Sequence, residues 1–243
     1  MIRVKICVTA MLLLVASPSI AAGQPRVAII IDDLGYQLEA GQRAIGLPGP
    51  IAFAVLPGTP RAVSLARWAH KNGKEVLLHL PLQANSDGDD DEPVGIDLDM
   101  SREAVGATFK VALNSVPHVV GVNSHRGSLL TRHPGHMQWL MEEIGARDDL
   151  FFVDSYTTAA SVAMQIAGEA GVSAVRRDVF LDPDKSPETV ARQFERMKRL
   201  ARMRGFVVAI GHPYKATLEL LEKELPKLSD QGIELVPISE LVK

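Results

Sequence analysis

The chain has 243 residues, 47% of them hydrophobic and 23% charged, the balance of one large α/β domain or two small ones. A formal net charge of −3 gives no global electrostatic case for nucleic acid, and an aromatic content of 5% argues against a deep stacking groove for long sugar chains.

Residues 1–22 have the pattern of a secretory signal. Arg3 and Lys5 precede an apolar core from Ile6 to Ala16, Ser17-Pro18 breaks it, and Ser19 and Ala21 supply small residues at cleavage spacing. The core is short for a membrane span, so cleavage after Ala21 or Ala22 and a periplasmic or secreted protein with no stable span are expected, the alternative being an uncleaved anchor. The single cysteine, Cys7, falls inside this segment. Any metal of the mature chain must then be held by His, Asp or Glu. Residues 23–25 form a spacer, and 26–243 shows no linker and reads as one domain.

The first strand is expected over 27–31, where branched residues stop on Asp32-Asp33-Leu34-Gly35. A helix over 38–45 and a strand over 51–56 follow. A helix over 61–72 ends at Gly73, and a strand over 75–80 ends in His79-Leu80-Pro81. Asp87 to Glu92 is a dense acidic run without the spaced oxygens of a calcium loop, so it reads as a solvated loop. Ser101 caps a helix over 101–115. A strand over 119–123 leads into Ser124-His125-Arg126-Gly127-Ser128. A helix over 136–144, a strand over 150–153 ending on Asp154-Ser155, and a helix over 161–168 come next. A weak strand over 172–175 precedes Arg176-Arg177-Asp178. The helix over 188–204 is basic, with Arg192, Arg196, Arg199 and Arg202, and reads as a solvated face or a contact with an anionic surface. A strand over 206–210 ends on Gly211-His212-Pro213, and a helix over 217–227 and a strand over 233–236 complete the chain.

Strands alternating with helices imply a parallel sheet with right-handed crossovers. Seven or eight such units in one domain favour a closed or nearly closed (β/α) barrel over an open doubly wound sheet. Asp32-Asp33, His79, His125, Asp154, Asp178 and His212 each follow a different strand, and in a parallel barrel those ends share one face. Adjacent carboxylates repel unless a cation or a proton is near. Two histidines and a carboxylate form a ligand set for a divalent metal such as zinc, leaving positions for water and substrate. Successive strand residues point to opposite sides, so both aspartates reach one site only if the chain turns there, which Gly35 permits. One aspartate then ligates the metal and the other serves as base, while His212 is placed to protonate a leaving group from the far side. His70, His118, His133 and His136 lie on helices or in loops and read as structural or solvated, with His133 nearest the mouth.

The ordered segments Ile31-Asp32-Asp33-Leu34-Gly35, Leu77-Leu78-His79-Leu80-Pro81, Gly121-Val122-Asn123-Ser124-His125-Arg126-Gly127-Ser128, Phe152-Val153-Asp154-Ser155 and Ile210-Gly211-His212-Pro213-Tyr214 resemble the motifs of the divergent polysaccharide deacetylase family, a distant branch of the NodB-type deacetylases. The resemblance runs from about Arg26 to the C-terminus. It implies a distorted barrel and metal-dependent removal of acetyl groups from sugars. By that resemblance Asp32 is the base, Asp33 a metal ligand, His79 the first metal histidine and His212 the acid. The usual enzymes carry a second histidine four residues after the first, where this chain has Gln83, so His125 is the candidate third ligand. Arg126 stands where methionine is common, and its guanidinium either binds an acidic sugar or pairs with Asp154. The family arginine that orients the base has no clear match. The resemblance implies a hydrolase with carbohydrate or cell-envelope glycan as its partner. The alternative is a non-catalytic periplasmic protein that binds glycan or an envelope protein on the same barrel.

Overall fold

The computed structural model describes residues 23–85, 93–147 and 149–242. The signal-like segment and the acidic run expected as a solvated loop lie outside the described residues. Among the described residues no helix is long and apolar enough to cross a membrane.

Among the described residues nine strands form one parallel sheet. They are β1 (Arg26–Leu34), β2 (Ala52–Val55), β3 (Val76–Leu82), β4 (Val119–Arg126), β5 (Phe151–Asp154), β6 (Ala174–Arg176), β7 (Val179–Phe180), β8 (Phe206–Gly211) and β9 (Glu234–Leu235). The helices are α1 (Leu38–Ile45), α2 (Ala62–Lys71), α3 (Arg102–Ser115), α4 (Pro134–Gly145), α5 (Ala163–Glu169), α6 (Pro187–Arg204) and α7 (Lys215–Glu224). The order across the sheet is β6-β5-β4-β3-β2-β1-β8-β7, with β9 on the lower half of β1. This is the expected distorted (β/α) barrel. It stays open between β6 and β7, which are neighbours in sequence but are not paired with each other. The sequence pattern missed β7 because two residues are too few to show a period, and it placed β6 two residues early.

Strand alternation sorts the core into two layers. Val27, Ile29 and Ile31 of β1 pack outward with Leu78, Leu80, Val122, Phe152 and Val207 against the helices. Ala28 and Ile30 face inward with Leu77, Val153, Val175, Val208 and Ile210. Both faces are covered, so the strands read as continuous apolar runs, not as alternating ones. Local signals place the helices. Ser101 Oγ accepts the Ala104 N–H at the start of α3, Ser186 Oγ accepts the Thr189 N–H at the start of α6, and Gly205 closes α6 at φ 84°.

Candidate metal centre

The inward parity of each strand, carried one step past its apolar residues, delivers a polar side chain to the mouth. Ile30 leads to Asp32, Leu77 to His79, Val153 to Ser155, Val175 to Arg177 and Ile210 to His212. On β4 the same parity presents Asn123 and then His125, whose Cα register partners on β3 are His79 and Pro81.

Asp33 breaks this parity. Pairing of β1 with β2 runs Ile31 to Phe53 and then Leu34 to Val55, so two aspartates oppose the single residue Ala54. That is a β-bulge. Asp33 itself adopts φ 59°, the left-handed region, and this swings its carboxylate to the same side as Asp32. The turn expected at Gly35 is therefore made at Asp33.

Asp33 Oδ1, His79 Nε2 and His125 Nδ1 form a triangle with all three edges 3.1 Å. Among the described residues this is the one group of three or more metal-capable side chains. Three atoms each about 2.0–2.1 Å from one tetrahedral zinc stand about 3.3 Å apart, so the spacing fits a single small divalent cation. The donor chemistry fits as well. Asp32 only accepts hydrogen bonds when ionised, so the amide nitrogen of Asn123 faces it and donates to Oδ1 at 2.8 Å. The Asn123 carbonyl oxygen then accepts Nδ1–H of His79 at 2.8 Å. In the neutral ring this leaves the Nε2 lone pair aimed into the triangle.

Electrostatics agree with a site built for a cation. Burial pushes the Asp33 carboxyl up, but hydrogen bonds from His125 and His79 outweigh it and hold it well below the usual range. Burial opposes charge on His79, yet the Asp32 carboxylate and the Asp33 hydrogen bond raise its pKa to about 9. The centre draws a proton onto His79 where a metal would otherwise compensate the two acids. Asp32 is different: burial dominates and raises its pKa, with the Asp33 charge adding and His79 and His212 opposing. A buried carboxyl with a raised pKa suits proton transfer.

His212 stands across the cleft, with Nε2 3.6 Å from Asp33 Oδ2. Its Nδ1–H donates to Asp182 Oδ1 at 2.9 Å. Asp182 Oδ2 also accepts the His212 backbone N–H and the Thr217 hydroxyl, both at 2.7 Å. Burial works against a charged ring, but Asp182 and the charges of Asp33 and Asp32 prevail and raise the pKa of His212. Asp32, His79, His125, Arg126, Arg177 and His212 line one cleft of about 180 Å³.

The structure moves two of the expected site residues. Asp178 lies in the two-residue link between β6 and β7, and its carboxylate accepts from Arg204 Nη1 at 3.0 Å and from the Val208 N–H at 3.0 Å. It braces the lower end of the barrel. The acid that follows this strand is Asp182. Asp154 has outward parity with Phe152, and it accepts the Tyr156 N–H at 2.8 Å and the Ser161 hydroxyl at 2.9 Å. Its neighbour Ser155 lines the cleft instead. Gln83 is turned away: its side-chain oxygen accepts the Leu98 N–H at 2.9 Å, tying down the segment before α3. His70 and His118 stack on each other with ring centroids 3.8 Å apart, and His136 packs against Trp139. His133 is the N-cap of α4.

Sequence reasoning gave no role to Asn123, Asp182 or Arg177. Asn123 and Arg177 were detectable by parity, two residues before His125 and two after Val175. Arg177 shares the cleft with Asp32, and the two charges attract. Its Nε and Nη2 donate to the carbonyls of Ser155 and Tyr156 at 2.5 and 2.8 Å.

Comparison with known proteins places this geometry. The family described as "Divergent polysaccharide deacetylase" matches residues 29–242. The uncharacterized protein YibQ of Escherichia coli K12 is 36% identical over 99% of this chain and 73% of its own length. An uncharacterized protein of Haemophilus influenzae is 36% identical over 92% of this chain and 79% of its own. Among solved structures, the uncharacterized protein ATU2773 of Agrobacterium tumefaciens C58 has a TM-score of 0.86 at 23% identity, covering 91% of each chain. The peptidoglycan deacetylase PdaC of Bacillus subtilis has a TM-score of 0.51 at 15% identity, covering 90% of each, and at that distance it shares the fold alone. The match over residues 29–242, with the two relatives at 36% identity, makes this chain a member of the divergent polysaccharide deacetylase family.

Proposed function

We propose that this protein is an exported, metal-dependent carbohydrate deacetylase that acts on acetylated glycan of the cell envelope. The observation that carries the reading is the triangle of Asp33, His79 and His125, flanked by Asp32 on one side and His212 on the other. The signal-like start of the chain supports export.

Asp33, His79 and His125 would hold a divalent metal, zinc by the two-imidazole, one-carboxylate character of the set. Such an ion supplies polarisation of the acyl carbonyl and a water of lowered pKa. Asp32 takes the proton as water attacks the acyl carbon, and Arg177 favours its ionised form by charge. In this reading the Arg177 guanidinium takes the part of the base-orienting arginine that the sequence leaves unmatched. His212 gives the proton on Nε2 to the departing amine or alkoxide as the acyl C–N or C–O bond breaks. Asp182 holds the His212 ring by Nδ1, so that Nε2 points into the cleft.

The test is acetate release from acetylated amino-sugar oligomers by the purified protein, with zinc added and with chelator. Turnover that needs the metal and is lost in Asp32→Asn is expected. A folded, zinc-binding protein that releases no acetate from any acetylated sugar overturns the reading in favour of a glycan-binding protein.

A further inference from the structure

Helix α6 has one face that the fold does not use. Val190, Phe194, Met197 and Ala201 are buried on one side of it, where it packs on β1, β7, β8 and α7. On the opposite side Arg192, Arg196, Arg199 and Met203 follow at steps of four, three and four residues. With 3.6 residues per turn these positions form one straight row, about 16 Å long at about 1.5 Å per residue. All four side chains are exposed, and Met203, at 79%, is the most exposed large apolar side chain among the described residues. Arg202 stands at the edge of the row and is exposed as well.

The charge of this face is not offset from within the protein. The helix carries six basic and two acidic residues, in a chain whose formal net charge is −3. The acid Glu195 pairs with Lys198 at 2.6 Å, and Arg204 pairs with Asp178 at 3.0 Å. Among the described residues no carboxylate lies within ion-pair distance of Arg192, Arg196, Arg199 or Arg202. Three of these arginines donate to neutral oxygens: Arg192 to the Thr189 hydroxyl at 2.9 Å, Arg196 to the Gln193 side chain at 3.4 Å and Arg202 to the Gln231 carbonyl at 3.4 Å. Like charges three and four residues apart on a helix repel. Arg192 with Arg196, Arg196 with Arg199, and Arg199 with Arg202 are three such pairs, and an anionic partner relieves all of them.

We propose that this row docks α6 on an anionic phospholipid bilayer, with the guanidinium groups on lipid phosphates and Met203 entering the headgroup boundary. A guanidinium offers a planar pair of donors that matches a phosphate. Two observations choose a bilayer over a soluble anionic glycan. The row is straight, which suits a flat surface. It also ends in an apolar side chain, which a lipid surface takes out of water and a hydrated polysaccharide does not. The assignment makes no use of the deacetylase reading.

The test is flotation of the full chain with vesicles of phosphatidylcholine, alone or with about one third phosphatidylglycerol. Binding to the anionic vesicles is expected to be about tenfold tighter or more, and to weaken with added salt. Each arginine at a charged membrane is worth about fivefold, so Arg196→Gln with Arg199→Gln should weaken binding about 25-fold. Met203→Ser should weaken it about fourfold on vesicles and leave affinity for polygalacturonate, a soluble polyanion, unchanged. All three side chains are exposed, so these variants keep the fold. Arg67→Gln with Lys71→Gln removes the same charge from the exposed face of α2 and should leave binding unaltered. The apolar segment 6–16 is common to every variant, so its share cancels in the comparison. Equal binding of wild type to both kinds of vesicle overturns the proposal. So does a loss in the α2 variant as large as in the α6 variant. Tight binding of polygalacturonate through the α6 arginines, with Met203→Ser without effect on vesicles, overturns the bilayer in favour of a glycan contact.

Discussion

Asn123 joins Asp32 to His79: its amide nitrogen donates to Asp32 Oδ1 at 2.8 Å and its carbonyl oxygen accepts His79 Nδ1–H at 2.8 Å. One buried amide thus fixes both the orientation of the base candidate and the tautomer of a metal-ligand candidate. Asn123→Ala removes both restraints. Zinc affinity should fall about 10–100-fold, the usual effect of losing a partner behind a metal-bound imidazole. Competition with a chromophoric chelator measures it, and unchanged affinity in a folded variant would show that the bridge is not used.

Asp182→Asn should separate the acid from the rest of the site. The carboxylate that helps to raise the pKa of His212 is lost, while the triangle is untouched. In the proposed reaction His212 acts in its protonated form, so activity falls as pH rises through that pKa. The alkaline limb of the kcat profile is expected to move to lower pH, and kcat should drop about 10²-fold or more. Zinc content should stay at the wild-type level.

Metal removal should make stability depend on alkaline pH. His79 is buried, and its pKa is raised from 6.5 to about 9 by its acid neighbours. A raised folded-state pKa gives stability that is fully present below about pH 6.5 and lost as pH rises through about 9. The loss is about 3 kcal/mol. The denaturant midpoint of chelator-treated protein should therefore fall over this window. Added zinc should restore it most at the alkaline end, where the ligands are already deprotonated.

Gln83→Ala should affect the fold and not the metal. The variant loses the hydrogen bond to the Leu98 N–H, for a cost of about 1 kcal/mol in urea unfolding. Zinc stoichiometry should equal that of the wild type. A loss of zinc would show that Gln83 reaches the centre.

Much of the fold was legible because its cause is local. Branched runs, glycine and proline stops and the caps at Ser101 and Gly205 mark most elements to within a few residues. β7 escaped because two residues carry no period. The site was legible to the extent that it obeys strand alternation. Asp32, His79 and His212 lie one step beyond inward apolar residues and His125 one step beyond the inward Asn123, and any parallel barrel brings such ends together.

The sequence by itself determined that acids and histidines would meet at one mouth, because the alternation of strand and helix and the two-residue repeat of the strands are fixed by backbone geometry. Only the tertiary structure decided which of them meet. The bulge at Asp33 depends on the register of β1 against β2, which no local pattern states. The engagement of Asp182 and not Asp178, and of Ser155 and not Asp154, depends on where each strand begins and on which face it shows. A shift of one residue exchanges the two faces of a strand, and that choice is made by packing across the whole barrel.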